Sequence, residues 1–326
     1  MKKGCLIALA VIGVLLLLLA LAGVVTYNAV DRWAGLRLAP EISHESYAGA
    51  DSRIRLVVKP ERFMNFIEDY MPEDVELPFP GLDLKTVIRQ VLPREIALLA
   101  RADVIASRLR FTLFVNERRG GPLIQTLVNE ENLLGRAPQV RWTSTGLEMH
   151  GRGALVAEGD IPIPSAVEAE LLEIWPTRSP EPPAAVRAVH LAELVIDNRN
   201  GDILALAAAA AQAAGESWES LRAEDMADMA VNIIESIYVA RLTADLQDKD
   251  TVLVGLRIDM DEKSGPGLQF LLSGLALPWL TDTLRDDFGL ALAGDMRWDE
   301  AESAIIGQYT VIGIHELVHE ALDEAV

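Results

Sequence analysis

One ordered set of landmarks occurs twice in this chain, and it constrains the fold more than any other feature. Gly121-Pro122-x-x-Gln125 matches Gly265-Pro266-x-x-Gln269, Arg141-Trp142 matches Arg297-Trp298, and Gly151 falls opposite Gly307. Each Gly-Pro follows a segment of alternating apolar residues. Leu109, Phe111, Leu113 and Val115 alternate in the first, and Val252, Val254, Leu256 and Ile258 in the second. A period of two marks a half-buried strand. Upstream, apolar stretches at 54–58 and 191–196 take equivalent places. Toward the ends, Val167, Leu171 and Glu173 correspond to Val318, Leu322 and Glu324. The shared order predicts an α+β fold: two tandem copies of one unit with mostly antiparallel sheet, at 52–174 and 189–326. A proline-rich linker at 175–188 separates them.

Local signals place helices between these strands. Pro60 opens a short helix, as proline does at a first helical position. Asp83 is a cap for a second helix from Leu84, which Pro93 kinks or ends. Residues 117–122 read as a turn and 147–156 as one strand. In the second copy, Asn200 and Asp202 are cap candidates for an alanine-rich helix ending near Gly215. Ser220 caps a longer helix running to about Asp245. The terminal segments 165–174 and 315–326 read as closing helices.

Ahead of both copies, residues 5–25 are uncharged and strongly apolar, with Lys2 and Lys3 before them and Asp31 the next charge. About twenty apolar residues at ~1.5 Å rise span a hydrocarbon core of ~30 Å. Lysines before the run and acid after it place the N-terminus in the cytoplasm. The expectation is a transmembrane anchor within 1–30, in the membrane through residues 5–27, then a juxtamembrane segment at 31–51. A cleaved secretory signal is the rival reading, because Ala20-Leu21-Ala22 has the small-x-small form. Either way the remainder is exported, which in a bacterial cell means a single-pass protein of the cell membrane with a periplasmic or extracellular bulk.

Charge and cysteine use narrow the function classes. The chain carries a net charge of -20, and setting Lys2 and Lys3 aside takes it to -22. So much acid excludes a nucleic-acid partner that reads phosphate through a basic footprint. The single cysteine, Cys5, sits in the apolar run and rules out an internal disulfide. Gly120-Gly121-Pro122 and Gly151-x-Gly153 lack the lysine and helix context of a phosphate loop, and no cofactor is implied.

One motif bears on catalysis. His315-Glu316-Leu317-Val318-His319 has the spacing H-E-x-x-H. On a helix, residues four apart share a face, so both imidazoles can hold one zinc while the glutamate activates its water. These five residues resemble the zinc metallopeptidase signature. The resemblance implies zinc on His315 and His319, with Glu316 as the base. Only seven residues follow His319, and no third ligand is marked.

The remaining feature is an apolar insertion at 271–284, longer than its first-copy counterpart. Leu271, Leu272, Leu275, Leu277, Trp279 and Leu280 are its candidates for lining an apolar groove, the alternative being core cover. The combined expectation is an anchored binding or interaction module of the envelope without catalytic activity, whose partner is an envelope protein or an apolar ligand. A membrane-tethered zinc peptidase is the alternative.

Overall fold

The computed structural model describes residues 38–46, 52–67, 89–90, 92–103, 107–130, 134, 141–143, 146–163, 190–199, 201–213 and 227–317. The anchor, the proposed cap at Asp83, the linker at 175–188, the closing helices beyond Leu317 and at 165–174, and His319 lie outside them. Among the described residues, no helix is long and apolar enough to cross a membrane.

The fold is α+β, built on one antiparallel sheet of eleven strands. The strands are β1 (Ile54–Val58), β2 (Glu95–Asp103), β3 (Arg108–Asn116), β4 (Arg141–Trp142), β5 (Glu148–Met149), β6 (Ala154–Pro162), β7 (Ala192–Asp197), β8 (Ile237–Leu246), β9 (Thr251–Met260), β10 (Ala291–Asp299) and β11 (Ala304–Ile312). Their spatial order is β10-β11-β9-β8-β7-β1-β2-β3-β6-β4, with β5 beside β6. Outward from the centre, one wing runs β1-β2-β3-β6-β4 and the other β7-β8-β9-β11-β10. In each wing three consecutive strands are followed by the last and then the fourth-to-form. The wings meet where β1 pairs antiparallel with β7, Leu56 opposite Leu194.

The helices are α1 (Pro60–Ile67), α2 (Gly121–Glu130), α3 (Asp202–Ala213), α4 (Ala227–Ser236), α5 (Gly265–Leu271) and α6 (Leu277–Phe288), with a π-helical turn at Leu272–Ala276 joining the last two. Strand alternation sorts the residues into two faces. Four of the helices pack on one. Leu204, Ala205 and Ala208 of α3 and Val231 of α4 cover Ile54, Ala100, Leu109 and Phe111. Ile124 and Val128 of α2 cover Val115, Leu155 and Ala157. Leu268 of α5 joins Ile258, Met260 and Ile305. On the opposite face, Phe114, Leu99, Val57 and Val156 are buried under Ile42 of the 38–46 segment. That segment is held by polar contacts as well. Asn116 Nδ2 donates to the Ile42 carbonyl at 2.6 Å, and the His44 amide and Nδ1 meet Glu95 Oε1 at 3.2 and 2.7 Å.

Several sequence expectations need correction. Residues 95–103, in line after the helix placed from Leu84, form strand β2. The helix placed through Asp245 stops at Ser236 and gives way to strand β8. Leucine and alanine favour a helix locally, but pairing on both sides decides the outcome in each case. The turn at 117–122 is shorter than expected, because α2 already begins at Gly121. The expected strand 147–156 is two strands split by a tight turn, where Gly151 and Gly153 have φ of 78° and 100°. Gly307, its proposed counterpart, lies inside β11.

The cap of α3 also differs. Asp202 does not supply the hydrogen bond recorded there, and Asn200 lies outside the described residues. Asn198 Oδ1 accepts from the Ile203 amide at 2.8 Å, while its Nδ2 donates to the carbonyls of Ile234 and Ile237 at 2.7 and 3.1 Å. One fully buried side chain thus ties the start of α3 to the end of α4. Asp202 instead reaches β2, accepting from the Ala102 amide at 3.0 Å. Its neighbour Asp197 receives Arg53 Nη1 and Arg199 Nη2, both at 2.7 Å. Burial works against ionised Asp197, but the bonds from Arg199 and Arg53 outweigh it and hold its carboxyl below the ordinary range. Asp202 is 1% exposed, and its other oxygen has no hydrogen-bond partner. Burial pushes its pKa up to about 6, helped by the Asp197 charge and opposed by the Ala102 amide and Arg53.

A carboxyl with an ordinary value of 3.8 and a folded value of about 6 keeps its proton in the folded state through a window where the unfolded chain has lost it. Its contribution to stability is therefore complete below the lower value and is lost as pH rises to the upper one, by about 3 kcal/mol in all. Asp202→Asn keeps the acceptor for Ala102. It should raise the thermal midpoint above pH 7 and flatten the pH dependence between pH 4 and 6. A variant equally destabilised at pH 4 and pH 8 would show that the carboxyl is needed as such.

Candidate functional site

The second wing places its apolar insertion at the surface. Residues 264–281 contain no charged side chain. They fold into α5, the π-helical turn and most of α6, a nearly continuous helix in which the Leu277 amide donates to the Leu272 carbonyl. The inner side is anchored by Leu268, with Leu272 packed against the same core. Phe270, Leu275 and Trp279 are 72%, 61% and 68% exposed, with Leu280 and Phe288 also open. Aromatic side chains left this bare lose several kcal/mol of potential burial, about 25 cal/mol per Å². A cluster of them in an uncharged stretch marks a contact surface rather than scattered apolar exposure.

Of the six residues expected to line a groove, the structure divides the roles. Leu271 lines a cavity of about 560 Å³ between α4 and α5, with Asn232, Ile233, Lys263, Ser264, Gly267 and Leu268. Leu272 packs against the core, and Leu277 is half-buried. Leu275, Trp279 and Leu280 face outward on the helix surface beyond that cavity. The cavity pairs apolar walls with one cation and two neutral polar groups.

A second apolar feature escaped the sequence reading. Across the helix-bearing face, Leu113, Leu98, Leu56, Leu194, Leu242 and Leu256 lie directly opposite one another on six neighbouring strands. Leu56, Leu98 and Leu242 are 36%, 38% and 41% exposed, so the middle of this row is open. Only the strand register reveals the row, and Leu242 sits in the segment that reads as helix.

The other face carries the polar site. A cavity of about 600 Å³ lies over β2, β3 and β6, with Arg101, Arg108, Arg110, Glu158 and Asp160 around it. Its charges are largely matched within the protein, Arg108 to Asp160 at 3.2 Å and Arg110 to Asp103 at 2.8 Å.

The H-E-x-x-H residues occupy the junction after β11. Asp250 starts the helix there: its Oδ1 accepts from the Gly313 and His315 amides at 3.2 and 3.1 Å. Gly313 has φ of 103°, which turns the chain out of the strand. His315 and Glu316 are exposed in the first helical turn. Among the described residues, no three His, Cys, Asp or Glu side chains form a group able to hold a metal. His190, one of the remaining histidines, is engaged with Asp245.

The two Gly-Pro landmarks turn out to be helix starts. Glu117 and Asp261 precede them by four residues in each case. The Glu117 carboxylate accepts from the Gly153 amide at 2.9 Å and fills the space where a Gly121 side chain would stand. Asp261 accepts from the Lys263 amide and the Ser264 hydroxyl, both at 2.8 Å, and the Ser264 bond holds its carboxyl below the ordinary range. Trp298 covers Gly265 so closely that a Cβ would enter its ring.

These contacts predict opposite outcomes two residues apart. Gly265→Ala should destabilise the protein by about 1–3 kcal/mol through overpacking against Trp298. Gly267→Ala meets open space and should be neutral or stabilising by up to about 1 kcal/mol. Chemical denaturation of both variants checks the pair; equal effects would show that Trp298 gives way. No protein-family model, curated protein or solved structure matches the chain.

Proposed function

We propose that this protein is a membrane-anchored, extracytoplasmic binding or interaction module of the cell envelope, without catalytic activity. The observation that carries this reading is the uncharged helical surface of Phe270, Leu275 and Trp279 beside the cavity at Leu271. Such a surface needs a partner of apolar character: an envelope protein or an apolar ligand. The apolar run at 5–27 supplies the membrane attachment, with the N-terminus in the cytoplasm and the bulk of the chain in the periplasm or outside the cell.

The module consists of two copies of one unit, at 52–174 and 189–326. The matching strand order of the wings supports this, as do the acids Glu117 and Asp261 at equivalent places before Gly-Pro. The first copy's helix α2 has ten residues, whereas the second extends through α5, the π-turn and α6. The enlargement is what puts the apolar surface on one copy only.

A photo-crosslinking side chain at position 275 of the full chain, activated in intact cells, tests the reading. We expect a discrete adduct with one envelope protein or lipid, absent when the probe replaces exposed Glu302. No adduct above that control would remove the case for a contact surface here.

The second reading, a membrane-tethered zinc-dependent peptidase, has the spacing of His315, Glu316 and His319 in its favour. Metal analysis of the full chain after zinc supplementation separates the two. The binding-module reading expects less than about a tenth of an equivalent of zinc; a full equivalent lost on His315→Ala would support the peptidase.

A further inference from the structure

The two ends of the sheet are finished differently. At one end, β4 and β5 are two residues each, which leaves little backbone to pair. At the other, β10 runs regularly for nine residues and, among the described residues, is hydrogen-bonded on one side only, to β11. A long edge strand with free N–H and C=O groups is a template for another strand unless something covers it. β10 contains no proline, and most of its residues are exposed. Helix α6 lies against it on the helix-bearing face and presents Trp279, Leu280 and Phe288 to solvent.

We propose that the β10 edge is an interface between two copies of this chain, pairing β10 with β10 antiparallel about a two-fold axis through Met296. The register follows from charge and from the parity of strand pairing. Directly opposed residues in a symmetric antiparallel pair share a face, so the axis passes through a residue rather than between two. An axis at Asp295 sets two aspartates against each other. An axis at Arg297 opposes two arginines, and Asp295 to Asp299. An axis at Gly294 or Ala293 leaves Arg297 without an opposite charge, and an axis at Trp298 opposes Arg297 to Asp299 but overlaps only three residues of β10. The axis at Met296 places Arg297 opposite Asp295 of the second copy, twice by symmetry. Arg297 has a side chain 75% exposed, with Asp299 its nearest acid at 3.8 Å, so it is available for that contact.

Two further consequences agree. The axis stands normal to the sheet, so both α6 helices lie on the same face and bring their apolar residues toward each other. The 38–46 segments of both copies lie on the other face, each toward the far end of its own sheet. Two chains held by N-terminal anchors can therefore enter one membrane from the same side, which a parallel stacking of faces would not allow.

Charge exchange tests the register on the full chain in density-matched detergent, by sedimentation equilibrium. The unaltered chain should form a dimer. Asp295→Arg and Arg297→Asp should each weaken it about tenfold or more, since each creates two like-charge contacts. The double variant should restore it, because exchanged charges remain complementary. An independent readout is oxidation of Met296→Cys in a Cys5→Ala background, which should give a covalent dimer, whereas Gln308→Cys on β11 should not. A monomer at tens of micromolar, or a dimer indifferent to both single exchanges, overturns the proposal. So does a double variant that stays as weak as the singles.

Discussion

Five residue pairs between β1 and β7 make one sheet out of two wings, and nearly every other contact is arranged around that seam. The strands are short, so backbone pairing is not its only tie. Arg53 leaves the start of β1 and meets Asp197 at the end of β7, a pair almost wholly out of solvent. Removing one member of a buried pair costs about 3–5 kcal/mol, because the other charge is left without compensation. Asp197 also fixes Arg199, and the next residue, Asn198, caps α3 and holds α4. A single stretch of chain thereby joins the two wings and docks the helices that cover their junction. Asp202 sits in the same knot with one carboxyl oxygen unmatched, so the seam loses stability as pH rises and that carboxyl gives up its proton.

The landmarks that repeat in the sequence proved to be places where backbone and side chain cannot be exchanged freely. Gly121 and Gly265 begin helices under a carboxylate and an indole. Those constraints are local, which is why single-residue patterns report them. Alternating strands β3 and β9 were legible for the same reason, since one face of each carries an apolar residue at every second position. Strands β2 and β8 were not. Their leucine and alanine content fits a helix, and only neighbours distant in sequence make them strands. In β8 the run Ile237-Tyr238-Val239 was a readable signal, as β-branched and aromatic residues favour a pleated surface. The leucine row needed all five strand registers at once and left no trace in any one segment. The apolar insertion was legible as apolar; that it forms a helix with one side bare depends on the width of the sheet beneath it.

The contrast between the faces is also physical. On the helix-bearing side, leucine, isoleucine and valine persist across both wings. On the other side the first wing is closed by the 38–46 segment, whereas the second exposes Arg257 with Asp259 and Glu302. Exposed pairs of this kind add little stability, typically under about 1 kcal/mol. They keep a sheet face solvated and discourage stacking on that face.

The segment at 38–46 is not a loose linker. Ile42 is packed under Phe114 and His44 is clasped to Glu95, so this segment belongs to the folded domain. With the proposed anchor ending at residue 27, ten residues remain between them, a leash of at most about 35 Å when fully drawn out. On the proposed anchoring, a partner would have to come within one protein diameter of the membrane to be met. For anything that shares that layer, search becomes nearly two-dimensional, and even a weak surface acts at a high effective concentration.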